Sequence, residues 1–159
     1  MKGVNSTVPT IVNIYEIGEN VFNISENEAK SKGITLINNI PTNSISFCDA
    51  GQIDIVFRNL INNAIKFSKQ NDTITLSATH DDNNITFLVA DTGIGMSEAK
   101  LKQLFTITPD ISTYGTQGEI GIGLGLLLCY EFIKANNGKI KVESEPNKGT
   151  VFYVTLPIA

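Results

Sequence analysis

Two pairs of alternating runs constrain this chain more than any other feature. TITLSAT (73–79) and ITFLVAD (85–91) flank the polar HDDNN, and KIKVES (139–144) and TVFYVTL (150–156) flank EPNKG. Alternation gives a strand one apolar and one polar face, and a short connection rich in Asn, Asp, Pro or Gly closes two such strands as an antiparallel hairpin. The apolar face then needs helices to cover it. Three longer helical patterns are present: Ile17, Val21, Ile24 and Ala29 in a stretch that stops near Gly33; Ile53, Phe57, Leu60, Ile61 and Ala64 in a stretch that Asp49 can N-cap; and an apolar run opened by glycines and ended by Asn137 and Gly138. A shorter helix is expected at 97–104. TIVNI (10–14), ITLIN (34–38) and SISFC (44–48) read as strands, the last two separated by a turn with Pro41 and Asn43. With consecutive strands closing as hairpins, this order predicts an α+β fold: a two-layer α/β sandwich whose mixed, mainly antiparallel sheet is covered on one face by about three helices.

The chain of 159 residues, 42% hydrophobic, suits one domain, expected over 10–159, with 1–9 read as a linker or cloning remnant. A net charge of −4 without a Lys/Arg block removes the electrostatic basis for nucleic-acid binding or direct membrane contact. With no membrane-length apolar run and no signal-peptide core, a cytoplasmic setting is expected, either free or as the cytoplasmic part of a membrane-bound sensor. Cys48 and Cys129 lack metal spacing and read as small core residues. His80, the single histidine, has no ligand or nucleophile beside it and reads as a solvated turn residue.

Function points to three segments. In NLINNAIKFS (59–68), Asn59, Asn62, Asn63 and Lys66 share the face opposite the apolar stripe, although Asn is a poor residue inside a helix. Such a stripe faces either solvent or a ligand. In DTGIGM (91–96), Asp91 ends a strand and two glycines let the backbone approach a flat ligand; the carboxylate could accept from an amino group such as that of adenine, or close a local turn. In GIGLGL (121–126), glycines at a helix start suit an anion or a tight turn. The segment is neither a Walker loop, which needs Lys-Ser/Thr, nor a dinucleotide motif, which needs a parallel βαβ unit. Between the glycine segments, 105–121 is a long loop without a basic residue.

Together and in this order, the segments resemble the ATP-binding (Bergerat-type) fold shared by gyrase-type topoisomerases, ATP-dependent chaperones, mismatch-repair ATPases and sensor histidine kinases, and within it a histidine kinase catalytic domain. The resemblance spans Thr10 to Pro157: NLINNAIKFS is similar to the N box, DTGIGM and GIGLGL to the two glycine boxes, Leu104-Phe105 to a short F box, and Lys148 to Thr150 to the final Gly-Thr element. It implies that ATP and Mg²⁺ are bound, with Asn63 as the metal ligand, Lys66 on phosphate and Asn59 supporting that cluster. Phe67 would lie beside the nucleotide, Asp91 would take the adenine amine, Gly93, Ile94 and Gly95 would line the base, and Thr150 would approach it through water. Gly121, Gly123, Leu124 and Gly125 would meet the phosphates as the loop 105–121 closes as a lid.

The hydrolysing relatives carry Glu where this chain has Asn59, and an amide cannot take a proton from water. The resemblance therefore implies a protein-histidine kinase that transfers the γ-phosphoryl group. Its acceptor would be a His on a helical dimerisation and phosphotransfer domain outside this chain, with a response regulator receiver domain downstream; the isolated domain would be monomeric and would not phosphorylate itself. His80-Asp81 mimics the acceptor dipeptide but falls in a hairpin turn, and Phe105, Ile107 and Ile111 are candidates for docking the acceptor helices. Two departures from the family are the absence of a basic lid residue and Ile122 where Thr is common. The alternatives are an ATPase of the same fold and a nucleotide-sensing interaction module.

Overall fold

The structure, a computed structural model, describes residues 6–104 and 123–159, with the side chains of 102–104 and 123–124 left aside. Its elements are β1 (Thr10–Asn13), α1 (Ile14–Lys32), β2 (Thr35–Asn38), β3 (Ile45–Cys48), α2 (Ala50–Lys66), β4 (Thr73–His80), β5 (Asn84–Asp91), α3 (Glu98–Leu104), α4 (Gly123–Ala135), β6 (Lys139–Glu145) and β7 (Gly149–Pro157). Side-chain caps start the two longest helices: Asn13 accepts from the Glu16 N–H, and Asp49 from the Gln52 N–H. Gly33 ends α1 in the left-handed conformation, φ +74°.

Five strands form one sheet in the order β2-β4-β5-β7-β6, antiparallel except for the parallel β2–β4 pair. Ile74, Leu76, Ile85, Phe87, Val89, Val154 and Leu156 point from it into a core closed by α1, α2 and α4. Phe57 of α2 stacks on Phe87 of β5 with ring centroids 4.2 Å apart. Alternate residues such as Thr75, Leu88 and Tyr153 stay half-exposed on the other face, so the expected two-layer α+β sandwich is present.

β2 and β3, read as two strands separated by a turn, do not pair with each other: β2 runs parallel to β4, and β3 pairs with β1 in a separate two-stranded ribbon. The turn between them has its own anchors, with Ile40 buried and the Ser44 N–H donating to the Pro41 carbonyl, and it carries the chain away from β2. β3 then faces inward through Ser46, whose hydroxyl donates to the Pro157 carbonyl at 2.8 Å, and through Cys48. The return to β4 by way of α2 is the helical crossover that parallel strands require. Thr7 and Val8 also hydrogen-bond to Gln52 and Asp49 at the start of α2. His80 is the exposed last residue of β4, and both cysteines are free and buried. Among the described residues no helix is long and apolar enough to cross a membrane.

Candidate functional site

A pocket of about 480 Å³, mouth included, opens where the C-terminal half of α2 faces the ends of β5 and β7. Of the residues singled out in the sequence, Asn63, Phe67, Asp91, Ile94, Gly95 and Thr150 line it. Ala64, Met96, Lys100 and Phe152 line it too, and sequence reasoning missed them. Ala64 and Met96 lay within recognised segments, Lys100 and Phe152 outside them.

Asp91 is the last residue of β5 and is 8% exposed. Burial pushes its carboxyl up to about 6, while the N–H groups of Gly93 and Thr150 that donate to it pull the other way and the neighbouring Asp72 adds to the rise. The Gly93 bond is 2.9 Å long. A carboxylate offers about four acceptor positions. Two remain for a donor in the pocket.

The turn after Asp91 is pinned on both sides. The Ile94 N–H donates to the Phe67 carbonyl at 3.1 Å, and the Asn147 N–H donates to the Ile94 carbonyl at 2.6 Å. This closeness excludes side chains: a Cβ on Gly93 would lie 2.3 Å from the Phe67 carbonyl oxygen, and one on Gly95, at φ +68°, 1.8 Å from that of Glu145. Both glycines are therefore required by the approach of α2 and the β6–β7 turn to this loop. Ser144 ties the opposite wall: its hydroxyl accepts from the Met96 N–H, donates to the Gly149 carbonyl and lies 2.8 Å from the Thr150 hydroxyl. Because the one Ser144 proton is used on Gly149, Thr150 must donate to Ser144, leaving Thr150 lone pairs as acceptors. No motif signalled Ser144.

On the α2 wall, Asn63 Nδ2 is buried without a hydrogen-bond partner. Such a group costs roughly 1–3 kcal/mol unless something binds it. Asn62 is exposed, as its plain reading as a surface residue required. Asn59 and Lys66 lie on the same helix but do not line the pocket: a Cβ on Gly125 of α4 would sit 3.5 Å from Asn59 Oδ1, and Lys66 is the last residue of α2. Gly93 does not line the pocket either; it is buried against the Phe67 carbonyl. Gly123 and Leu124 open α4, while Gly121 and Ile122, with the loop residues Phe105, Ile107 and Ile111, lie outside the described residues.

A largely apolar pocket lined by a buried carboxylate and by a helix amide whose nitrogen lacks a partner is suited to a ligand with a flat amine-bearing ring and a polar tail. It defines a nucleotide-binding α+β domain. Residues 48–159 match the family described as "Histidine kinase-, DNA gyrase B-, and HSP90-like ATPase", and the chain belongs to it. Sporulation kinase E of Bacillus subtilis is 39% identical over 127 residues, 79% of this chain and 16% of that protein. Sensor protein SrrB of Staphylococcus aureus is 32% identical over 130 residues, 82% of this chain and 22% of that protein. The chain thus spans less than a quarter of the length of either relative. The nucleotide-free catalytic domain of histidine kinase ThkA superposes with a TM-score of 0.81 at 25% identity, covering 95% of this chain and 96% of that one. Within the family, the chain is an ATP-binding catalytic domain of the sensor histidine kinase type.

Proposed function

We propose that this domain, residues 10–159, holds Mg²⁺-ATP for transfer of the γ-phosphoryl group to a histidine on a helical dimerisation and phosphotransfer domain, in a longer cytoplasmic kinase that passes the phosphoryl group to a response regulator. The observation that carries this reading is the buried Asp91 carboxylate and the unpartnered Asn63 amide lining one pocket. Asp91 accepts from the adenine amine, which relieves a carboxylate that burial otherwise disfavours. Ile94 and Gly95 line the base, Gly93 gives the loop its close fit, and Phe67 flanks the ring. Thr150 presents acceptor lone pairs to a bridging water.

The donor set also fits the metal, since an amide oxygen suits a hard ion that binds largely through substrate phosphates and retained waters. Asn63 would hold it, and Mg²⁺ would supply charge neutralisation between the phosphates. Lys66 and Asn59 extend the polar face of α2 toward the phosphate end, where Lys66 acts as a point charge. Gly121, Gly123, Leu124 and Gly125 belong to the segment that brings backbone N–H groups to the phosphates. Asn59 provides no base for water. The imidazole of the partner domain is already a nucleophile, so its nitrogen attacks phosphorus as the bond to the ADP oxygen breaks.

Mixing the chain with the isolated helical domain of its own kinase and γ-labelled ATP tests this. Acid-labile phosphohistidine on the helical domain, formed only when both are present, is expected. Steady phosphate release by this chain alone would favour the ATPase reading, and nucleotide binding with neither outcome would favour a nucleotide-sensing module.

A further inference from the structure

We propose that the groove between α1 and the outer edge of β2 docks an extended segment of a partner polypeptide, alternating apolar and basic residues, which joins the sheet as a sixth strand beside β2. The edge is available by register. The Thr35 N–H donates to the Asp72 carbonyl at 3.0 Å and the Asn39 N–H to the Leu76 carbonyl at 2.8 Å. In a parallel ladder with Thr35 opposite Thr73, the odd-numbered residues of β2 therefore bond to β4, and the N–H and C=O of Leu36 and Asn38 point outward. Among the described residues no strand pairs with them.

The two edges of the sheet are treated differently. β6, at the far edge, has exposed Lys139, Lys141, Glu143 and Glu145 alternating along it, the usual protection against unwanted pairing. β2 reads Thr-Leu-Ile-Asn, carries no charge, and leaves Ile37 38% exposed. Beside this edge lies an open groove of about 1080 Å³, mouth included, so it admits side chains. It shares no lining residue with the nucleotide pocket.

The lining selects the occupant. The buried Phe22 and Ile34 and the half-buried Leu36 form its floor, and Glu19 and Glu26 supply negative charge against one cation, Lys30. Glu19 is held in place by the Asn38 amide, which donates to it at 2.9 Å. Main-chain bonds to Leu36 and Asn38 would give affinity, and alternate basic side chains on the groove face would reach the two glutamates and give selectivity, while the apolar residues between them turn to the opposite face beside the exposed Ile37. A second copy of this chain fits poorly: β2 brings no positive charge, and pairing β2 with β2 would set like-charged grooves side by side.

The test uses the ¹⁵N-labelled chain without nucleotide and three capped peptides: Thr-Val-Lys-Val-Lys-Val-Thr, its twin with Glu for Lys, and the Lys peptide N-methylated at alternate residues. Amide hydrogen exchange at Leu36 and Asn38 is expected to slow by about tenfold or more with the Lys peptide, with Thr35 and Ile37 unchanged. The Glu twin should bind about tenfold more weakly, the N-methylated peptide should give no protection, and Glu26→Lys, an exposed site, should reverse the charge preference. Unchanged exchange at Leu36 and Asn38, equal binding of the two charge twins, or shifts confined to the nucleotide pocket would each overturn the proposal. So would protection that appears without peptide together with a dimer mass, which would make a second copy the occupant.

Discussion

Asp91 gives the sharpest quantitative expectation, because its burial leaves a signature in stability that does not depend on what it binds. Its carboxyl is displaced from 3.8 to about 6, chiefly by burial. About two pH units at 1.36 kcal/mol each is about 3 kcal/mol of differential stability. A raised folded-state value means that the folded chain keeps a proton the unfolded chain releases. The corresponding stability is fully present below the unfolded value near 3.8 and is lost as pH rises through about 6.

Asp91→Asn removes the titration while keeping the shape. It leaves one acceptor oxygen for the N–H groups of Gly93 and Thr150, which costs roughly 1–3 kcal/mol by leaving a donor unsatisfied; this cost is independent of pH. The stability of the native chain minus that of the variant should therefore fall by about 3 kcal/mol between pH 3 and pH 7. At about 2–4 °C per kcal/mol for a chain of this size, the relative Tm moves by roughly 6–12 °C. Thermal unfolding of both proteins without nucleotide, in steps of half a pH unit, measures it, and subtracting the variant removes the other carboxylates. Parallel profiles, or a difference that grows with pH, would refute the burial argument. Nucleotide affinity should run the other way in the native chain, strengthening as pH rises through about 6 because only the ionised carboxylate is a pure acceptor.

Other substitutions separate the roles of the pocket residues. Asn63→Ala should leave the nucleotide-free fold intact or raise its stability by about half a kcal/mol through helix propensity, yet abolish Mg²⁺-dependent ATP binding by calorimetry; unchanged affinity would remove Asn63 as the metal ligand. Gly95→Ala forces φ +68° on a residue with a Cβ and sets that atom against the Glu145 carbonyl; a loss of about 1–3 kcal/mol from backbone strain alone, and more from the clash, should appear in urea unfolding together with weaker nucleotide binding. Lys100→Ala should weaken ATP about fivefold, the value of roughly 1 kcal/mol for a half-exposed charge, with adenosine unaffected; equal losses for both ligands would place Lys100 on the base. Both cysteines are fully buried, and burial pushes the Cys129 thiol up to about 12. Ellman's reagent should therefore label neither until the chain unfolds, and fast labelling under native conditions would contradict the packing.

The parts of the fold that could be read in the sequence are those fixed by local pattern. The β4–β5 and β6–β7 hairpins have alternation and a short turn, so pairing follows from neighbours in the chain. Asp49 was legible as a cap because the apolar period of α2 begins just after it. The partner of β2 was not legible. Four residues that fit either edge of a sheet contain no information about register, and the choice of β4 depends on the α2 crossover and on a turn anchored by Ile40, both tertiary facts. The same division holds at the site. Asp91, Gly93 and Gly95 stand out because a strand rarely ends in this way without a reason. Ser144, Phe152 and Ala64 are ordinary strand and helix residues whose importance comes from what lies across from them.

What joins Asn63, Asp91 and Gly95 is that each breaks a rule of folding economy where the ligand-free chain gains nothing by it. A carboxylate is buried without a cation, an amide is buried without a partner, and a loop is held at positive φ against neighbouring carbonyls. Scattered through the fold, such features would be isolated defects. All three instead line one pocket, while the apolar contacts behind it, from Phe57 on Phe87 to the buried face of α2, obey every rule of pattern and packing. Local violations that meet in one pocket are what a binding site looks like before its ligand arrives, because the ligand supplies the missing partners. The argument extends to Asn59. It packs toward Gly125 rather than into the pocket, so the polar face of α2 is divided: the Asn63 end meets the pocket, and the Asn59 end meets the helix opened by the second glycine segment. With an amide at that junction in place of an acid, the place where a hydrolytic relative activates water holds a group that can only orient, which suits a domain that keeps ATP intact until another domain presents its nucleophile.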